Sequence, residues 1–67
     1  MKKMYREGRA LGRQIQQSYP SRTEQQQKHH AMHCAINYGY LKQQDWKLFI
    51  QGYLKGYKDE FSERTSL

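Results

Sequence analysis

Large apolar side chains recur every three or four residues through the last third of this chain. They are Trp46, Phe49, Ile50, Tyr53, Leu54, Tyr57 and Phe61. This spacing is that of one face of an α-helix. Each buried aromatic side chain removes roughly 150–250 Å² from water. We therefore expect a helix over about residues 43–62 whose aromatic face forms most of the core.

Local signals divide the rest of the chain into two more helices. Pro20 disfavours helical backbone at the residue before it, so a first helix should end near Ser18. The stretch from Ser21 to Glu24 has the form of a capping box and predicts the start of a second helix. Gly39 can end that helix, because glycine adopts left-handed backbone at little cost.

The start of the third helix is less sharply marked. Asp45 is a plausible N-cap, although Lys42 or Gln43 are earlier starting points. The prediction is an all-α fold, either a small three-helix bundle or a helical hairpin with an additional N-terminal helix. It forms a single helical domain over 1–67, with helices at about 3–18, 22–38 and 43–62 and a frayed tail at 63–67.

The first two helices are also amphipathic at about 100° per residue. Helix one places Met4, Gly8, Leu11, Ile15 and Tyr19 on one side and the basic residues Lys2, Arg6, Arg9 and Arg13 on the other. Helix two has a broad face of small and apolar residues, opposite a side that carries histidines and Cys34: Ala31, Met32, Ala35, Ile36, Tyr38 and Gly39.

Small residues recur at four-residue spacing in every predicted helix. The sets are Gly8 and Gly12, then Ala31, Ala35 and Gly39, then Gly52 and Gly56. A glycine inside a helix costs about 1 kcal/mol relative to alanine, so the internal glycines need a reason. Close approach of helix backbones is the interpretation we favour. The alternative is that Gly52 or Gly56 ends or kinks the third helix early.

Size and composition narrow the class of protein. A chain of 67 residues buries a modest fraction of its surface, and its single cysteine, Cys34, forms no internal disulfide, so we expect self-association or a bound partner to add stability. The longest apolar run, Leu48 to Ile50, is far too short to span a bilayer. We expect a soluble, cytoplasmic protein that requires no membrane.

Two candidate chemical sites lie on helix two. His29 and His33, and likewise His30 and Cys34, are one helical turn apart, which is a spacing that can chelate a metal. The two pairs point in different directions, so one chain cannot gather all four ligands, and only a symmetric dimer could combine two pairs in one metal site. His30 beside Cys34 also suggests an activated thiolate, but catalysis needs an orienting third group and a pocket. We therefore expect no enzymatic activity, no metal and no cofactor.

Two functional hypotheses remain. The first is a non-enzymatic helical adaptor or inhibitor that binds another protein or forms a homodimer through exposed apolar groups, namely Tyr40, Leu41 and Leu48. The alternative is nucleic-acid binding through the basic stripe Lys2, Arg6, Arg9 and Arg13, since residues 1–22 carry six cations against Glu7.

Two further comparisons bear on these hypotheses. A helix-turn-helix arrangement fits poorly, because Asp45 stands where that motif needs an apolar residue. Short, basic helical chains without recognisable motifs are common among phage and plasmid accessory proteins. This likeness is one of size and composition rather than of sequence.

Overall fold

A computed structural model describes residues 2–66 and contains three helices: α1 (Lys3–Ser18), α2 (Glu24–Asn37) and α3 (Gln43–Thr65). The all-α prediction is confirmed, and no strand occurs in the described part of the chain. Residues 63–65 are helical rather than frayed, whereas Leu67 at the end of the predicted tail lies outside the described residues. None of the helices described is both long and apolar enough to cross a bilayer.

The ends of the helices follow from local hydrogen bonding. The capping box at the start of α2 is formed by Thr23 and Gln26, whose side chains accept each other's backbone N–H at 3.2 and 2.9 Å. The predicted box at Ser21 is wrong, because the helix starts two residues later than expected and glutamine takes the role assigned to Glu24. Helix α3 begins at Gln43, one of the earlier starts considered, so Asp45 lies inside its first turn.

Pro20 ends α1 at Ser18 as predicted, and the connection that follows is fixed by a buried tyrosine of α3. The Tyr57 hydroxyl donates to the Tyr19 carbonyl at 2.6 Å and accepts from the Arg22 backbone N–H at 2.9 Å. One buried phenol therefore satisfies two polar backbone groups that no helix pairs.

Helix α3 is the central helix of the fold. It contacts both α1 and α2, whereas α1 and α2 have few contacts with each other. The molecule is correspondingly flat, with Cα extents of 38 × 24 × 14 Å. Residues of α1 and α3 pair in ascending order, Tyr5 with Gly52 and Arg9 with Gly56, so these two helices run parallel. Helix α2 runs antiparallel to α3.

The internal glycines form the seam between α1 and α3, which we call the glycine seam: Gly8, Gly12, Gly52 and Gly56. A Cβ at Gly12 would lie 2.1 Å from the backbone oxygen of Tyr53, and a Cβ at Gly56 would lie 2.1 Å from that of Arg9. The same conflict with backbone arises at the other two positions. Close backbone approach is therefore confirmed as the reason for these glycines, and α3 continues through both of its own.

The aromatic stripe packs on the other side of α3, against α2. Phe49 and Tyr53 are fully buried, Tyr57 is 5% exposed, and Ala31 and Ala35 of α2 are fully buried against the same core. The stripe is narrower than predicted, because Trp46, Ile50 and Leu54 are only partly buried. Phe61, at 48% exposure, lies outside the core.

The contact face of α1 is turned from its apolar side toward its basic side. The buried residues of α1 are Gly8, Gly12 and Gln16, whereas the predicted face, including Leu11 and Ile15, is only partly buried. Because glycines let the backbones touch, the contact centres on them rather than on the largest apolar side chains. The glutamine therefore enters the seam, and its Oε1 accepts no hydrogen bond from the described residues.

Candidate protein-binding surface

The connection between α2 and α3 is an ordered turn that presents apolar side chains. Gly39 has φ +90° and needs no strain to adopt it. Its N–H donates to the Ile36 carbonyl at 2.9 Å, and the Tyr40 N–H donates to the Ala35 carbonyl at 3.0 Å. This pair of bonds is the Schellman arrangement that closes a helix C-terminus. The backbone of the turn is therefore fixed at the point where the chain reverses.

Aromatic contacts hold the turn against the rest of the molecule. The ring of Phe49 lies 5.0 Å from that of Tyr38 and 5.9 Å from that of Tyr40, and the two tyrosine rings stack at 6.2 Å. The Tyr40 hydroxyl donates a hydrogen bond to the Glu7 carboxylate on α1. That bond, followed by desolvation and nearby negative charge, raises the pKa of Tyr40 to about 12. Tyr40 thus fastens the turn to α1.

Three apolar side chains on this turn remain open to solvent, and we call them the apolar tip: Ile36, Tyr38 and Leu41. Leu41 is 74% exposed, Ile36 51% and Tyr38 48%. An exposed leucine on an ordered backbone loses no further backbone freedom when a partner covers it. The geometry is therefore that of a preformed contact surface rather than of a loose loop.

The three residues predicted to bind a protein differ in their exposure to solvent. Leu41 is the most exposed of the large apolar residues that are open to solvent. Tyr40 is partly buried, and its hydrogen bond to Glu7 holds the turn in place, so it is less accessible to a partner than Leu41. Leu48 is partly buried and, by helical spacing, lies on the side of α3 that carries Gly52, which faces α1.

Two tip residues, Ile36 and Tyr38, share the predicted small-residue face of the second helix with Ala31 and Ala35 but are not buried with them. Only Ala31 and Ala35 of that face are buried. A signal was present for Ile36, because it lies about 100° around the helix from Ala35 and so at the edge of any face centred on the alanines. No comparable signal marks Tyr38, since its exposure depends on where the turn places it after the helix ends.

The basic stripe of α1 is divided by the fold. Arg9 lies 3.1 Å from the Asp59 carboxylate of α3, and Arg13 pairs with Glu60 at 3.3 Å and with Glu63. Lys2 and Arg6 are exposed. The four cations predicted for a phosphate backbone therefore do not form one free row, because the last two of them, Arg9 and Arg13, already face carboxylates. Arg9 and Lys55 together hold the pKa of Asp59 below its usual value, Lys55 being the larger influence.

The histidine and cysteine cluster forms a chain of contacts that ends on the buried Tyr53. His30 Nδ1 lies 2.7 Å from the Tyr53 hydroxyl, and His30 Nε2 lies 3.5 Å from the Cys34 sulfur. Burial, then the positive charges of Arg22 and His33, lowers the pKa of His30. Burial raises the pKa of the Cys34 thiol.

These contacts have the order of a nucleophile, a base and an orienting group, but the direction of the thiol shift is wrong for an activated thiolate. The arrangement accounts for the buried phenol of Tyr53, which obtains a polar partner. His29 and His33 pair with each other instead, with their rings edge to face at 4.8 Å. Among residues 2–66, no three histidine, cysteine or acidic side chains gather as metal ligands.

A second apolar feature lies at the opposite end of the molecule. A groove of about 430 Å³ runs between the start of α2 and the end of α3, with Leu54, Tyr57 and Phe61 among its walls and Arg22 and Lys58 beside them. Unlike the apolar tip, this feature is concave, and its one strongly exposed apolar group is Phe61. Phe61 thus serves as a matched reference for the tip in experiments.

The chain matches no protein-family model, no curated protein and no solved structure.

Proposed function

We propose that this chain is a small non-enzymatic helical module that binds another protein, as an adaptor or an inhibitor, through the apolar tip. The observation that carries the proposal is the 74% exposure of Leu41 on a turn whose backbone is closed by hydrogen bonds. Apolar side chains held in solvent by a fixed backbone are typical of interaction surfaces.

The dimensions of the molecule fit this role. A standard interface covers roughly 800 Å² on each partner, about one sixth of the 4732 Å² surface of this chain. The three tip residues would form the centre of such a contact, where anchoring side chains concentrate binding energy. Tyr40 and Leu48 would lie at its margin.

Two features support binding rather than catalysis or nucleic-acid recognition. Burial raises the pKa of Cys34, which is the direction opposite to that of an activated thiol. The ion pairs of Arg9 and Arg13 with α3 reduce the charge that the basic stripe offers to phosphates. Nucleic-acid binding is therefore the competing hypothesis that the following experiment must distinguish from protein binding.

The test compares partners captured from native extract by three forms of the full chain: wild type, Leu41→Gln and Phe61→Gln. Nuclease is included in one half of each sample, and the mass of the purified protein is measured alongside. We expect a set of proteins that resists nuclease, depends on Leu41 and is indifferent to Phe61. Complete loss of capture with nuclease would instead establish nucleic-acid binding, and partners that Leu41→Gln leaves in place would refute the role of the tip.

A further inference from the structure

Resting on the proposed function, we propose that the surface that receives the apolar tip is acidic: a protein surface with an apolar pocket ringed by carboxylates. The tip needs a pocket because three partly exposed apolar groups cluster on it. The carboxylates are required by the charges that surround the tip.

The parallel arrangement of α1 and α3 brings both of their N-termini to the end of the molecule that carries the tip. A Cβ at Gly8 would meet the Phe49 carbonyl, one at Gly52 would meet that of Tyr5, and Tyr40 of the turn bonds to Glu7. Each helix N-terminus carries a partial positive charge of about half an elementary charge. Two such N-termini accompany the one C-terminus of α2 at this end.

Side-chain charge at this end has the same sign. Five exposed cations lie in the first turns of α1 and at the start of α3: Lys2, Lys3, Arg6, Lys42 and Lys47. Only two carboxylates accompany these five cations, so the net side-chain charge at this end is +3. Of these carboxylates, Glu7 already accepts the Tyr40 hydroxyl and Asp45 lies in the first turn of α3.

The ion pairs of the molecule lie elsewhere. Within residues 2–66, the cations found within 4 Å of a carboxylate are Arg9, Arg13, Lys28 and Lys55. None of the five cations near the tip is among them. The charge near the tip is therefore available to a partner, whereas much of the charge on the other half is neutralised within the chain.

This distribution selects among the possible occupants of the tip. A second copy joined by a two-fold axis would place the same cations opposite one another, which is unfavourable. Nucleic acid would supply negative charge but no pocket for Leu41. An anionic bilayer would supply negative charge and could cover Leu41, but its surface is flat, whereas the tip extends from Ile36 in α2 to Leu41 in the connection. A concave acidic protein surface meets both requirements.

The experiment measures binding of the full chain to three synthetic helical hairpins that share one leucine-lined groove and differ only in the residues flanking that groove, which are glutamate, glutamine or lysine. Phosphatidylcholine vesicles, with and without phosphatidylserine, are tested in parallel. We expect the glutamate-flanked hairpin to bind most tightly and to shift the resonances of Leu41, and we expect its affinity to fall as salt is added. Reversing the charges of Lys42 and Lys47 to glutamate should weaken that binding about tenfold.

A matched variant, Lys58→Glu with Arg64→Glu, makes the same change in net charge at the other end and should leave the affinity unchanged. The proposal is overturned if the glutamate-flanked hairpin binds no more tightly than the other two, if the matched variant weakens binding equally, or if the tip binds phosphatidylserine vesicles instead. Equal binding of all three hairpins through Leu41 would refute the acidic partner but leave the proposed function intact. Leu41-independent capture from extract would refute the proposed function itself.

Discussion

Replacing Gly12 by alanine tests the glycine seam, because local and tertiary effects then have opposite signs. Alanine should stabilise an isolated helix by about 1 kcal/mol relative to glycine. In the folded chain its Cβ would lie 2.1 Å from the Tyr53 carbonyl oxygen, and ordinary contact begins near 3.4 Å. The helices must therefore separate by the difference, about 1.3 Å. Neither atom belongs to a flexible side chain, so rotation cannot relieve the conflict.

The expected net effect is destabilisation. Overpacking of a core costs about 1–3 kcal/mol, and a conflict with backbone belongs at the upper end of that range. Subtracting the gain in helix propensity leaves a loss of about 2 kcal/mol in the free energy of unfolding. With an m-value of about 1 kcal/mol per molar urea for so small a protein, the midpoint should fall by about 2 M. Equilibrium urea unfolding followed by circular dichroism measures this directly.

Two further variants sharpen the test. Ala10→Gly, at an exposed position of α1, makes the reverse substitution away from the seam and should cost about 1 kcal/mol from propensity alone. Combining Gly12→Ala with Gly56→Ala should cost less than the sum of the two, because one separation of α1 from α3 relieves both conflicts. A urea midpoint that rises in Gly12→Ala would refute backbone contact between these helices.

Three other predictions follow from single contacts. Leu41→Gln should change the free energy of unfolding by less than about 0.5 kcal/mol, since this side chain covers little of the core, while it abolishes capture of partners. Because folding lowers the pKa of His30, the unfolded chain binds a proton at this site more readily than the folded chain does. The free energy of unfolding should therefore keep its full value above pH 6.5 and decrease as the pH falls below it, before carboxylates titrate. Urea midpoints across this range should lose most of that dependence in His30→Gln and keep it in His29→Gln. Thr23→Ala should cost about 1 kcal/mol by thermal unfolding, whereas Ser21→Ala should be neutral, and the reverse order would restore the capping box first predicted.

Helix positions were predictable because the signals that set them are local. Pro20 constrains the residue before it, and Gly39 supplies the one backbone conformation that other residues avoid. The two competing caps of α2 show where such reasoning fails. Ser21 and Thr23 each precede a glutamate or glutamine by three residues, and the choice between them depends on where Tyr57 anchors the preceding backbone.

The partner of each helix was not predictable from spacing alone. Four-residue glycine spacing indicates that two backbones meet, but it does not specify which helices pair or whether they run parallel. That pairing determines which cations of the basic stripe form ion pairs, because a parallel α3 places Asp59, Glu60 and Glu63 beside Arg9 and Arg13. The sequence shows these acids only as residues some fifty positions away from the arginines.

The surface predicted for binding was partly recovered for a similar reason. Tyr40 and Leu41 attract attention because large apolar groups are unusual in a short connection. Ile36 and Tyr38 resemble core residues in the sequence, and their exposure follows from α2 being covered by α3 on one side only. An open layer of three helices leaves more helix edge in solvent than a closed bundle does, and edge positions are those that periodicity assigns least well.

The seam and the tip are linked by the packing of Phe49, whose backbone meets Gly8 and whose ring contacts Tyr38, and by the hydrogen bond from Tyr40 to Glu7. Tyr40 holds the turn to α1 only because Glu7 lies opposite its hydroxyl, and Glu7 directly precedes Gly8 of the seam. The parallel register fixed by the glycines therefore determines where the carboxylate lies beneath the turn. A change of about 1.3 Å in the spacing of α1 and α3 is large compared with the tolerance of a hydrogen bond. The glycines thus contribute to the shape of the binding surface as well as to stability, although none of them belongs to that surface.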